Sequence, residues 1–291
     1  MRVSEEKTYR TSLSRRGLRF CAAVVTLALL SGSAAADSGN PELERGFRQL
    51  YNLDFAAAQQ TFQAWEVQNP GNPMGAIGEA SGVLFSELDR LGVLESQFYA
   101  TDAGFLSRQK LTPDAAKRQE LERALERAEH MARQRLAQNS KDVDGLLAMT
   151  LSNGLQADYA ALIEKRNFAS LHYTKEATAW SQQLLASDPS CHDAHLAGGI
   201  SRYIVGSMPM PVRWLLSVGG VPGDKQAGIA ELQLTAEKGE YLAPFARILL
   251  AIAYVREKQT SRARQLLTAL RDEFPKNPLF QREIARLDGG H

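Results

Sequence analysis

The sequence holds little from which a reaction could be built. No Gly-x-Ser-x-Gly elbow and no His-Glu-x-x-His helix occurs, and Lys225 lacks both the Gly-x-x-x-x-Gly-Lys spacing and the following Ser or Thr of a phosphate loop. Charge of one sign is also missing. The 291 residues carry a formal net charge of +1, which supplies no basic field of the kind nucleic-acid binding requires. Cysteine is scarce, with two in the chain, Cys21 and Cys191. The apolar run Phe20 to Leu30 spans about 16 Å as a helix at ~1.5 Å per residue, well short of a hydrocarbon core of ~30 Å. No set of segments alternates apolar and polar residues at period two, so a sheet has no support.

What is present begins with a leader. Residues 1–36 carry six Lys/Arg against two Asp/Glu, a net of +4, which leaves −3 on the remainder. A basic segment ending in SRRGLR, the run from Phe20 and then SGSAAAD, with Ala34 and Ala36 as small residues for a peptidase pocket, predict a signal peptide cleaved after Ala36. The expected location is periplasmic or secreted. Arg15 and Arg16 after Ser14 fit twin-arginine export and an ordinary basic leader alike. Cleavage would leave Cys191 alone, so no intramolecular disulfide could form and stability must come from packing.

The remainder, 37–291, repeats itself. GFRQLYNLDFAAAQQTFQAWEVQNPGNP, Gly46 to Pro73, and AIAYVREKQTSRARQLLTALRDEFPKNP, Ala251 to Pro278, align without a gap. Ala58 matches Ala263, Phe62 matches Leu267, Pro70 matches Pro275, and both end in Asn-Pro. Small residues at Ala58 and Ala263 let a neighbouring helix approach, and the prolines end the second helix of each pair. These spacings closely resemble the tetratricopeptide repeat. The resemblance implies an all-α, right-handed helical-repeat solenoid of antiparallel helix pairs, with clear repeats at about 41–73 and 243–278 and degenerate ones between.

The middle fits the same scheme. Ala177 stands ahead of Pro189 at the repeat interval, which predicts a second helix, preceded by a long first helix from Asp142. Leu121, Leu125, Ala128, Ala132 and Leu136 fall on one face of a helix opening near Pro113, under a solvated charged face. At ~34 residues per repeat the mature chain would give some seven pairs, fewer where helices are long. Glu95 to Pro113 breaks the periodicity and reads as a connector that packs Phe98, Tyr99 and Phe105 on a neighbour, or as a lid.

The stretch GSMPMPVRWLLSVGGVPGDKQAG, Gly206 to Gly228, departs from a simple repeat. It predicts a short apolar helix from about Val212 to Val218 between prolines and glycines, then a helix capped by Asp224. Gly199, Tyr203, Met208, Pro209, Trp214, Leu215, Leu216, Gly220, Gly223, Asp224, Lys225 and Gly228 resemble a pattern of the inclusion-body-clearance and TTC39-like tetratricopeptide proteins and their bacterial relatives. That group implies helical-repeat proteins linked to aggregate clearance or lipid handling, without an accepted catalytic activity. The short helix is expected to be buried, with Trp214, Leu215, Leu216 and Val218 plugging the junction of two repeat stacks; an exposed patch for a partner or lipid is the alternative.

Cys191, His192, Asp193 and His195 form a cluster of metal-ligating residue types, yet no second Cys/His pair lies elsewhere and Cys191 has no base at a diagnostic spacing. The expectation is a helix start near Asp193, no metal, no cofactor and no catalytic residue. The functional expectation is a non-catalytic scaffold that binds a protein or peptide on a concave face lined by the first helices of the pairs. Tyr51, Asn52, Asn153, Arg202, Tyr203, Trp214 and Tyr254 are the candidate contacts. The alternative is a carrier or sensor of an apolar small molecule or lipid in a cavity near residues 203–220. No nucleic acid and no stable transmembrane segment after cleavage are expected.

Overall fold

The computed structural model describes residues 40–94, 111–218, 220 and 222–289. The leader and most of the expected connector, with Phe98, Tyr99 and Phe105, lie outside the described residues. The chain divides into two units, Met1–Ser38 and Gly39–His291, and all that follows concerns the second.

Among the described residues there are helices and no strands: α1 (Pro41–Tyr51), α2 (Phe55–Gln68), α3 (Met74–Arg90), α4 (Ala115–Gln138), α5 (Val143–Asp158), α6 (Asn167–Ser187), α7 (His195–Ser207), α8 (Met210–Val218), α9 (Lys225–Lys238), α10 (Ala243–Arg256), α11 (Thr260–Glu273) and α12 (Pro278–Gly289). A π-helical turn, Tyr159–Glu164, extends α5. The starts follow from side-chain capping of free helix amides. Asn40 accepts from Glu42 and Leu43, Asp114 from Ala116 and Lys117, Asp142 from Gly145, and Asp224 from Gln226 and Ala227.

Consecutive helices pack as pairs, α1/α2, α3/α4, α5/α6, α7/α9 and α10/α11, each pair on the next, with α12 closing the last. The protein is thus an all-α helical repeat, with five pairs among the described residues, fewer than seven as expected where helices such as α4 and α6 run to 24 and 21 residues. The two clear repeats are the pairs α1/α2 and α10/α11. Ala58, Phe62, Ala251, Ala263 and Leu267 are fully buried at the positions the spacing assigns to close contact. Gly46 of α1 and Gly78 of α3 face the Phe62 ring so closely that a Cβ on either would enter it. The repeated Asn-Pro has its own cause. Asn72 accepts the amide of Met74 and Asn277 that of Leu279, each starting the next helix.

The first and last repeats touch across the concave face. Arg48 of α1 pairs with Glu273 of α11 at 2.7 Å, Lys276 with Asp54 at 3.1 Å, and Asn277 Nδ2 donates to the Tyr51 carbonyl at 2.8 Å. Tyr51 Oη donates to the Tyr241 carbonyl at 2.9 Å, with the Phe47 and Tyr241 rings 5.2 Å apart. Across the middle, Phe85 of α3 meets Phe245 of α10 edge-on at 5.7 Å. Apolar side chains on the first helices bury more area against one another than an open groove would allow, and that draws the repeat array closed.

Of the expected plug, Trp214 is corrected and Leu216 is half-buried, while the side chains of Leu215 and Val218 lie outside the described residues. Helix α8 stands off the body, with Met210, Val212 and Trp214 exposed at 65%, 45% and 67%. What binds α7 to α9 is a glycine interlock beside it. A Cβ on Gly206 would meet the Lys225 amide nitrogen at 2.6 Å, and one on Gly228 the Tyr203 nitrogen at 2.6 Å, so two backbones approach where no side chain fits. The Asp224 amide donates to the Arg202 carbonyl at 3.1 Å across the same contact.

Candidate functional site

The closed array leaves a pocket at its centre with a volume of about 170 Å³. Each pair contributes its first helix, as the repeat spacing predicts. Phe47, Leu50 and Tyr51 come from α1, Phe85 from α3, Leu151 and Leu155 from α5, Leu196 and Ile200 from α7, Phe245 and Ile248 from α10, and Leu279 and Phe280 from α12. The wall is mainly apolar, as expected where helices meet on their hydrophobic stripes.

The polar groups in that wall divide sharply. Ser81, Thr150 and Thr174 each donate to the carbonyl four residues earlier at 2.8 to 2.9 Å. Asn277 donates to the Tyr51 carbonyl and accepts from Leu279. Asp193 accepts the amides of Tyr241 and Leu242 at 3.0 and 3.2 Å, so it holds the turn that leads into α10 from a neighbouring repeat. Burial pushes its carboxyl up to about 6, although those two amides pull it down. Asp158 differs from all of these. Among the described residues no side chain or amide pairs with its carboxyl, and burial is the one cause acting on it, raising it to about 7.

Asp158 is the last residue of α5, where the helix widens into the π-turn and Lys165 closes it with a φ of 57°. Such turns recur at functional positions. On α5, Thr150, Gly154 and Asp158 succeed one another every four residues along the face toward the pocket. A Cβ added to Gly154 would meet nothing within 4 Å, so the pocket lies open above it.

The seven residues singled out in the sequence do not form one site. Tyr51 lines the pocket, with its hydroxyl held by the Tyr241 carbonyl and its acidity suppressed chiefly by burial. Asn52 lies at the seam, where it accepts the Lys276 amide. Asn153 is buried on another face of α5 and donates to the Met149 carbonyl. Arg202 pairs with Glu231 at 3.3 Å. Tyr203 is buried between α7 and α10, its hydroxyl 3.4 Å from Ala253 O and from Glu257. Tyr254 accepts from Gln233 beneath the Arg262 guanidinium. Trp214 lies apart on α8. Sequence reasoning missed Asp158, Phe85 and Phe245; the available signal was an aspartate continuing the stripe Leu151, Leu155 at helical spacing.

The Cys191 to His195 cluster forms a single 3-10 turn, His192–Ala194, leading into α7. Among the described residues no three His, Cys, Asp or Glu side chains gather to hold a metal ion. Burial first, with Asp193 second, pushes the Cys191 thiol up to about 12, which leaves it no nucleophile at neutral pH. The His192 and His195 rings stack 6.3 Å apart, and burial lowers the basicity of His195. No described helix is long and apolar enough to cross a membrane.

No protein-family model matches the chain. No curated protein sequence matches it. Among solved structures, a thermophilic TPR protein of Thermus thermophilus is similar at 17% identity; the match covers 84% of this chain and 96% of that one, with a TM-score of 0.43.

Proposed function

We propose that this protein is an exported, non-catalytic helical-repeat binding protein whose concave face holds one apolar small molecule. The observation that carries the reading is the convergence of the first helices of all pairs, and α12, on a single apolar pocket whose rim is closed by the meeting of α1 with α11 and α12. An extended peptide needs an open groove, and the Phe85 and Phe245 rings occupy that path. Concave apolar pockets with a few placed polar groups are the common form of small-molecule sites. The basic and apolar leader supports export. On this reading the ligand site is the central pocket.

Native mass spectrometry with extraction of the protein purified from an exporting host tests this. A co-purifying small molecule is expected in the wild type and not in Gly154→Leu, which fills the pocket from a helical position that tolerates a side chain. Equal retention by both proteins would place the ligand elsewhere and sink the reading.

A protein partner belongs to a second reading, supported by the exposed Met210, Val212 and Trp214 face of α8. Loss of a crosslinked envelope protein on Trp214→Ser, with the bound small molecule unchanged, is its expected signature.

A further inference from the structure

The central pocket has one chemical peculiarity, and it bears on the class of ligand. Resting on the reading that this pocket binds a small molecule, we infer that the ligand carries a single ammonium group that pairs with the Asp158 carboxylate, on an apolar body about the size of one aromatic ring.

A half-buried carboxyl set in an apolar wall without a partner is costly, and an apolar residue there would serve a purely hydrocarbon ligand better. Every other polar side chain in the wall is already bonded to the protein, including the Asp193 carboxylate on its two amides. Asp158 is thus the one lining carboxyl that no protein group pairs with among the described residues. No Lys, Arg or His side chain lines the pocket among the described residues. An anionic head group such as that of a fatty acid would therefore face two carboxyls and no cation. A cationic donor completes the site instead, because its N–H groups find in Asp158 a charge-assisted acceptor in a low-dielectric surround. Size follows from volume. A cavity of ~150 Å³ lined by Leu, Ile and Phe takes benzene, and this one measures about 170 Å³, so a ring with a short aminoalkyl arm fits.

Calorimetric titration of the purified protein with phenethylamine, 2-phenylethanol, ethylbenzene and 3-phenylpropanoate decides it. Phenethylamine is expected to bind the wild type about tenfold or more tighter than Asp158→Asn, as for a hydrogen bond to a charged group, while ethylbenzene binds the two alike and Gly154→Leu binds none. Asp158→Ala, checked for helicity by circular dichroism, repeats the comparison should the asparagine variant misfold. If ethylbenzene binds and is blocked by Gly154→Leu, yet phenethylamine shows no preference for the wild type over Asp158→Asn, the ammonium inference fails and the pocket reading stands. Tighter binding of 3-phenylpropanoate than of phenethylamine overturns the inference in the same way. If no probe binds the wild type, the pocket reading falls and takes the inference with it.

Discussion

Asp158 couples the stability of the fold to pH, and the sign can be worked out. Its carboxyl titrates near 7 when folded and near ~4 in an unfolded chain. A raised folded value favours the protonated form, so its contribution to stability is present below ~4 and is lost as the pH rises through 7. Asp158→Asn removes that loss. The melting temperature of the variant relative to wild type should therefore be higher at pH 8 than at pH 5; a difference that shrinks or reverses with pH would show the carboxyl to be compensated. Asp193 and Tyr51, the other titratable groups of the wall, are present in both proteins and cancel in the comparison. A second residue-scale test concerns the repeat contact itself. Phe62 is fully buried between Gly46 and Gly78, so Phe62→Ala should cost about 3–5 kcal/mol by urea denaturation, more than a partly exposed phenylalanine would.

At the scale of elements, the pairing of α7 with α9 depends on backbone contact. Gly206→Ala puts a methyl against the Lys225 amide, which neither backbone can yield without breaking the Asp224 to Arg202 bond. A loss of about 1–3 kcal/mol is expected from overpacking, read as a lower urea midpoint. Helix α8 behaves oppositely. With Trp214 two-thirds exposed, Trp214→Ser should change stability by less than about 0.5 kcal/mol. The contrast shows what the sequence could and could not tell. The Ala58, Phe62 and Pro70 spacing, and its echo at Ala263, Leu267 and Pro275, is a local regularity that helix packing enforces, so the pairs were legible. The stripe Leu121, Leu125, Ala128 and Ala132 was legible for the same reason, and all four are buried. The apolar run around Trp214 invites a buried reading because hydrophobicity alone does not say whether a surface meets another surface. The contact made by the glycines at 206 and 228 was not legible in the sequence, since a glycine's partner lies in another helix.

For the molecule as a whole, the seam between its first and last repeats sets the behaviour. Arg48 and Glu273 are 225 residues apart, and no local pattern announces such a contact. The same distance hid the pocket, since Asp158 is an ordinary surface-type residue until α1, α10 and α12 close over it. Open repeat arrays gain stability from neighbour to neighbour and unravel from their ends. Here the end of α1 is tied to Glu273, Phe274 and the turn before α12, so its amides should resist hydrogen exchange as long as those of α10 do. Tyr51→Phe, which gives up the bond to the Tyr241 carbonyl, should cost about 1 kcal/mol and speed exchange in α1 and α12 together. Faster exchange in α1 alone would mean the two ends open independently.

The meeting of Arg48 with Glu273 also governs timing. A chain is made N-terminus first, so α1 emerges long before the residues that meet it across the seam. Until α10 and α12 arrive, Phe47, Leu50 and Tyr51 have no far wall. The half-built array is a trough with its apolar floor in water, and the central pocket gains its last wall only when Leu279 and Phe280 arrive.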